Sequence, residues 1–239
     1  MKEASYITLN AKSGKENDLA DFLIAGADLV TETEPQTLLW AALKNDSEMV
    51  IFDTFSDNSG RDAHFAGKVA GALKENAENL VAGGWDNGVI ANIKNPKILS
   101  SKTSSNAKDM KIAVFIPVKA KEGQAENLAG FLSGGAAIVK ETEPKTSYWY
   151  ALQFSNDEFG IIDFFADQSG VDAHFSGKVA AAVQENADAL LVGGWEKREK
   201  NRTGTFLCNF FAKSIVSTTV VIYSLTGVDM YDPGKKKAY

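Results

Sequence analysis

The chain has 239 residues, of which 44% are hydrophobic, 23% charged and 10% aromatic, values that fit a folded globular protein and exclude a disordered or fibrous one. Lys+Arg 25 against Asp+Glu 31 give a net charge of −6, which argues against a general nucleic-acid binder and against binding to anionic membranes. A lone cysteine, Cys208, excludes an internal disulfide, and two histidines cannot complete a closed Cys/His zinc site, so no metal is expected. The opening MKEASYITLNAKSGK has no apolar run of the signal-peptide kind, and the expected compartment is a reducing cytoplasm.

In chain order, SYITLN is a short run rich in β-branched and aromatic residues and reads as a strand. GKENDLADFLIAGADLV follows with Leu19, Phe22 and Leu23 at helical spacing, and TLLWAAL and MVIFDTF are two strands joined by a polar turn. A second helix is predicted from Ser59, where Ser59 and Asp62 have the shape of a capping box with Asp in place of Glu, and Asp57 is a further helix-opening residue. GVIANIK then supplies a fourth strand. The order β-α-β-β-α-β is the split βαβ, or ferredoxin-like, unit of an α+β fold.

The same unit occurs twice. Residues 53–85 align without a gap on residues 163–195, and 21 of the 33 positions are identical. Upstream, ETEP at 32–35 matches ETEP at 141–144, Trp40 matches Trp149 and Gly14 matches Gly123, with one extra residue in the second copy near SNDE. The predicted organisation is therefore a first module over 1–98, a linker over 99–109, a second module over 110–212 and a divergent tail over 213–239. Trp, Tyr, Phe and Ile alternate through the strands, so the two sheets are expected to pack on each other as an internal pseudo-dimer and close a barrel within one chain. Outer strand edges leave further homo-oligomerisation open.

After Trp195 the repeat stops. Residues 196–239 carry 8 Lys/Arg and 4 Asp/Glu, against 17 and 27 in residues 1–195. Thr205–Phe211 and Ser217–Tyr223 are the two candidates for a replacement fourth strand. Asn209, Lys213 and several hydroxyls interrupt the apolar runs, so no membrane span is predicted.

The strand IFDTF running into SDNSGRDAHF and an alanine-rich helix resembles the antibiotic biosynthesis monooxygenase (ABM) family of dimeric α+β barrels. Asp53-Thr54-Phe55 with Ala63-His64, and Asp163-Phe164-Phe165 with Ala173-His174, carry the motif, and the likeness covers about residues 1–95 and 110–195. It implies a cleft between sheet and helices and, as in well-known members, oxygenation of quinol- or anthrone-like aromatics with no metal, flavin or haem. Relatives of similar shape bind and degrade haem, which is one alternative. A non-catalytic module for a small ligand or partner protein is another.

Oxygenation without a cofactor needs a base, because a phenolate or enolate can pass an electron to oxygen where its neutral acid cannot. His64 and His174 are the candidate bases, expected in the first turns of their helices, where the dipole disfavours imidazolium, with Asp53 and Asp163 orienting the rings. Against this, a continuous helical wheel places His64 opposite the apolar stripe Phe65, Val69, Leu73, Ala77 and Leu80, as a surface or interdomain residue. Trp40, Trp149, Phe55 and Phe165 are pocket walls for a small aromatic or apolar molecule, or core. Strand alternation puts Trp149 on one sheet face and Tyr148 and Tyr150 on the other. Trp85 and Trp195 follow Gly-Gly at a turn or packing position. Copy one, which keeps GVIANIK, is the expected working site.

Overall fold

Alternation along each strand sorts the side chains into three cores. The computed structural model describes residues 2–45, 48–104 and 109–194. Copy one contains β1 (Glu3–Asn10), α1 (Glu16–Thr33), β2 (Thr37–Asn45), β3 (Glu48–Phe55), α2 (Asn58–Phe65), α3 (Lys68–Leu80) and a short β4 (Ile93–Lys94). β5 (Lys97–Lys102) comes next, and copy two supplies β6 (Ile112–Lys119), α4 (Ala125–Thr142), β7 (Thr146–Gln153), β8 (Glu158–Phe165), α5 (Gln168–Phe175) and α6 (Lys178–Leu190).

The strands form one antiparallel sheet in the order β2-β3-β1-β5-β7-β8-β6, with β4 also on β1. One face of each copy turns toward the other copy: Tyr6, Ala41 and Phe52 share a core with Tyr148, Tyr150 and Phe164. Tyr6 meets Phe115 with ring centroids 4.8 Å apart, and Phe52 meets Tyr150 at 5.4 Å, an edge arrangement suited to the ring quadrupoles. The opposite faces pack on the helices. Ile7, Leu9, Trp40 and Ile51 lie against α1 and α3, and Val114, Trp149 and Ile161 lie against α4 and α6. The chain is thus an α+β protein of two ferredoxin-like modules joined through their sheets, with helices outside. Each large apolar side chain buried in these layers stabilises the fold by about 1.5–3 kcal/mol relative to exposure. No helix among the described residues is long and apolar enough to cross a membrane.

Four local expectations are corrected. The predicted linker begins as a strand: β5 pairs with β7 through Lys97↔Gln153 and Lys102↔Trp149, and touches β1 at Glu3↔Lys97. Its Ser and Lys residues suit a strand whose polar groups find partners on the next module, as Ser100 Oγ does by donating to the Leu132 carbonyl at 2.8 Å. GVIANIK is strand only at Ile93–Lys94, because Gly84–Val89 is wound as a π-helix and Ile90–Asn92 as a 3-10 turn. Gly83 and Gly84, at φ 86° and 63°, make the left-handed turn that starts this winding, a conformation open to glycine at little cost. The capping box is absent from α2, since Asp57 is its N-cap and accepts from the backbone N–H of Ser59 and Gly60. The fourth correction is that the second helix of each copy is two helices. α2 stops at Phe65 and α3 restarts after the extended Gly67, and α5 and α6 break in the same way at Gly177. Trp195 and the expected tail strand lie outside the described residues.

Candidate functional site

Cross-strand register assembles the floor of the site. Ser5, Asp53 and Trp40 are direct neighbours on β1, β3 and β2, and Val114, Asp163 and Trp149 hold the same places in copy two. Asp53 and Asp163 are fully buried on the helix side of the sheet. Burial of a lone carboxylate is costly, so each has a partner. His64 reaches down from α2 with Nε2 3.5 Å from Asp53 Oδ2, and His174 from α5 with Nε2 3.2 Å from Asp163 Oδ2. Ser5 Oγ donates a further hydrogen bond to Asp53 at 3.0 Å.

The other ring nitrogen of each histidine meets a glutamate that the sequence reading did not single out. Glu34 ends α1 ahead of Pro35, and its Oε2 accepts from His64 Nδ1; in copy two Glu143 Oε2 lies 2.5 Å from His174 Nδ1. Thr37 and Thr146 hydroxyls hold the same two carboxylates at 3.2 and 3.1 Å. The second carboxylate oxygen sits at the start of the next helix, whose glycine N-cap has no side chain to offer. A Cβ on Gly67 would lie 2.6 Å from Glu34 Oε1, and one on Gly177 2.7 Å from Glu143 Oε1. Glu143 Oε1 accepts from Val179 N at 3.4 Å, as a remote cap. The signal that could have marked these glutamates is the recurrence of ETEP at 32–35 and 141–144.

Each histidine is therefore held between two carboxylates and almost wholly buried, at 5% exposure for His64 and 3% for His174. This corrects the surface placement. The wheel assumed one unbroken helix, and the break at Ala66–Gly67 resets the phase. It also reverses the dipole argument, because His64 and His174 occupy the last turn of their helices, where a cation is favoured. Burial opposes the charge on His174, but Asp163 and Glu143 outweigh it and leave the imidazolium favoured up to about 10. His64 is raised in the same way: burial lowers it, and Asp53 and Glu34 more than compensate. Burial pushes Asp53 up to about 6 despite the opposing pull of His64 and the Ser5 hydrogen bond, and Asp163 is raised for the same first reason. Glu143 is lowered, because its bonds to His174, Thr146 and Val179 together exceed the effect of burial. Among these groups the raised carboxyls of Asp53 and Asp163, rather than the rings, are the readier proton acceptors.

The aromatic residues gather around this unit as packing. Phe55 and Phe165 are fully buried with rings 5.5 Å from His64 and His174. Trp40 lies against Gly26 of α1 and Trp149 against Gly135 of α4, filling the space between sheet and helices, and neither indole N–H has a hydrogen-bond partner among the described residues. In copy two the remaining gaps there are about 10 and 20 Å³. A larger groove of about 360 Å³ lies in copy one, outside the sheet, lined by Glu34, Gln36, His64, Gly67 and Lys68 among others. Its size reaches the lower range of small-ligand sites.

Solved structures share the fold. A candidate monooxygenase from Lactobacillus acidophilus matches with a TM-score of 0.68 at 14% identity, over 92% of this chain and 99% of that one. Another from Fusobacterium nucleatum matches with a TM-score of 0.66 at 16% identity, over 79% and 87%. The fold is that of the ABM-like α+β barrels. Both matched proteins align along nearly their whole length with both ABM-like copies of this chain. A protein of unknown function from Nitrosomonas europaea is 37% identical over 44% of this chain and 96% of its own, with a TM-score of 0.40. No protein-family model and no curated protein matches the sequence.

Proposed function

We propose that the protein is a cofactor-independent oxygenase of the ABM type acting on a small aromatic with an acidic hydroxyl or methylene, and that its working site is the groove of copy one. One observation carries this reading: Glu34 lines a groove of about 360 Å³, and its buried Oε1 has no hydrogen-bond partner among the described residues, while Oε2 engages His64. The substrate proton passes to a Glu34 oxygen, and His64 and Asp53 hold that carboxylate in place. The substrate anion then passes one electron to oxygen, the substrate radical and superoxide combine to a peroxide, and the peroxide takes the proton back from Glu34 and loses water to give the quinone-type product. Trp40, Phe55, Trp149 and Phe165 support the site from the core rather than line it.

The assay is oxygen uptake with hydroquinones and anthrones, without added metal. Uptake is expected for the wild type and at least a hundredfold less for Glu34→Gln, in the range of general acid–base contributions. Uptake that survives Glu34→Gln unchanged removes the groove from the chemistry. For the haem alternative, a histidine ligand requires a free ring nitrogen, and both nitrogens of His64 and His174 face carboxylates. A haemin Soret shift abolished in His64→Ala would restore it. That double engagement favours the non-catalytic module as the second reading, which predicts a retained ligand by native mass spectrometry and no oxygen uptake.

A further inference from the structure

Copy two shows what the glutamate of the triad attracts from outside. Lys102, carried on β5 opposite Trp149, donates from Nζ to the main-chain oxygen of Glu143 at 2.7 Å; burial lowers its pKa, and the Glu143 carboxylate offsets part of that cost. In copy one the corresponding carbonyl belongs to Glu34. Among the described residues, only the backbone N–H of Thr37 reaches it and no strand lies beside the outer edge of β2. Glu34 also lines the groove, is 92% buried as judged by its 8% exposure, and has Oε1 without a partner, whereas Glu143 Oε1 is engaged by Val179. Two carboxylates and one imidazolium leave copy one's triad with a surplus negative charge. Lys68 at the groove rim does not oppose a second cation decisively, because Lys178 holds the same sequence position in copy two, where Lys102 still reaches the Glu143 carbonyl.

We propose that the copy-one groove binds a primary ammonium group at Glu34, as Glu143 binds Lys102. The idea rests on the groove of the preceding section but not on oxygen chemistry. Two sources offer such a group: a free alkylamine or amine-bearing aromatic, and a lysine of residues 195–239, which contain Lys197, Lys200, Lys213, Lys235, Lys236 and Lys237.

The experiment titrates benzylammonium into the full chain by calorimetry and 15N NMR. It is repeated on a variant with those six lysines replaced by Gln, on Glu34→Gln, and on Lys102→Gln. A single equivalent bound by the wild type identifies a free amine as the source, and binding seen only in the six-lysine variant identifies the chain's own tail. In either case Glu34→Gln, made in the binding parent, weakens the site at least tenfold. Lys102→Gln, which leaves the copy-one triad untouched, adds a second equivalent at Glu143. Absence of binding in both parents, undiminished binding in Glu34→Gln, or no second equivalent in Lys102→Gln overturns the proposal. An absence of oxygen uptake leaves it standing, so the two readings fail separately.

Discussion

The two copies hold the same Asp–His–Glu triad in different second surroundings. In copy one, Ser5 donates to Asp53 and the histidine Nε2 stands off at 3.5 Å; in copy two Val114 occupies the Ser5 position, and His174 approaches Asp163 to 3.2 Å. Copy two adds Lys102 on the Glu143 carbonyl and Val179 on its carboxylate, and copy one has a groove there instead. The lesson is that a duplicated ion triad can diverge without losing its geometry. One copy is closed by its own chain into a structural unit, and the other retains an unused acceptor beside a space.

The largest effect that tests this comparison comes from removing the histidines. His174→Ala leaves two buried carboxylates without their cation and is expected to cost about 3–5 kcal/mol in denaturant unfolding. His64→Ala should cost less, because Ser5 still serves Asp53. Equal losses would erase the distinction. The glycines under the tryptophans give the next largest contrast. A Cβ on Gly135 would sit 2.5 Å from Trp149 Cη2, and one on Gly26 would sit 3.4 Å from Trp40. Gly135→Ala is therefore expected to destabilise by about 1–3 kcal/mol through overpacking, while Gly26→Ala stays near neutral, helped by up to about 1 kcal/mol of helix propensity. A reversed order in thermal unfolding would show that copy two's helix can shift where copy one's cannot.

The pH response sharpens the comparison further. His174 has its folded value raised to about 10 from an unfolded one near 6.5, so its contribution is complete below about pH 6.5 and declines as pH rises toward 10. Urea midpoints measured across that window should fall in the wild type and fall less in His174→Phe; parallel curves would deny the imidazolium its role. The smallest effect expected is for Ser5→Val, which gives copy one the copy-two environment. It should cost about 1 kcal/mol, the usual net worth of a hydrogen bond, and move Asp53 upward from about 6 in carboxyl NMR titration.

Much of the fold was legible from residue patterns. Period-two alternation put Trp149 and the tyrosines on opposite faces, and the gapless match of residues 53–85 and 163–195 pointed to two modules. The site was legible only in part. Asp53 with His64 and Asp163 with His174 could be paired from the motif, but Glu34 and Glu143 stand some 30 positions away in sequence, 30 and 31 residues from their histidines. Nothing local announces such a contact.

By itself, then, the sequence determined the repeat, the strand faces and the chemical types available in each copy, because periodicity and composition act over a few residues. Tertiary structure alone decided three things. It turned the supposed linker into β5, since a strand there completes β7 and lets Lys102 reach Glu143. It broke each second helix at a glycine, since the glutamate oxygen occupies the space a Cβ would need. And it made the histidines buried cations rather than neutral bases, because a charge in the interior takes its protonation state from the partners that long-range packing brings to it.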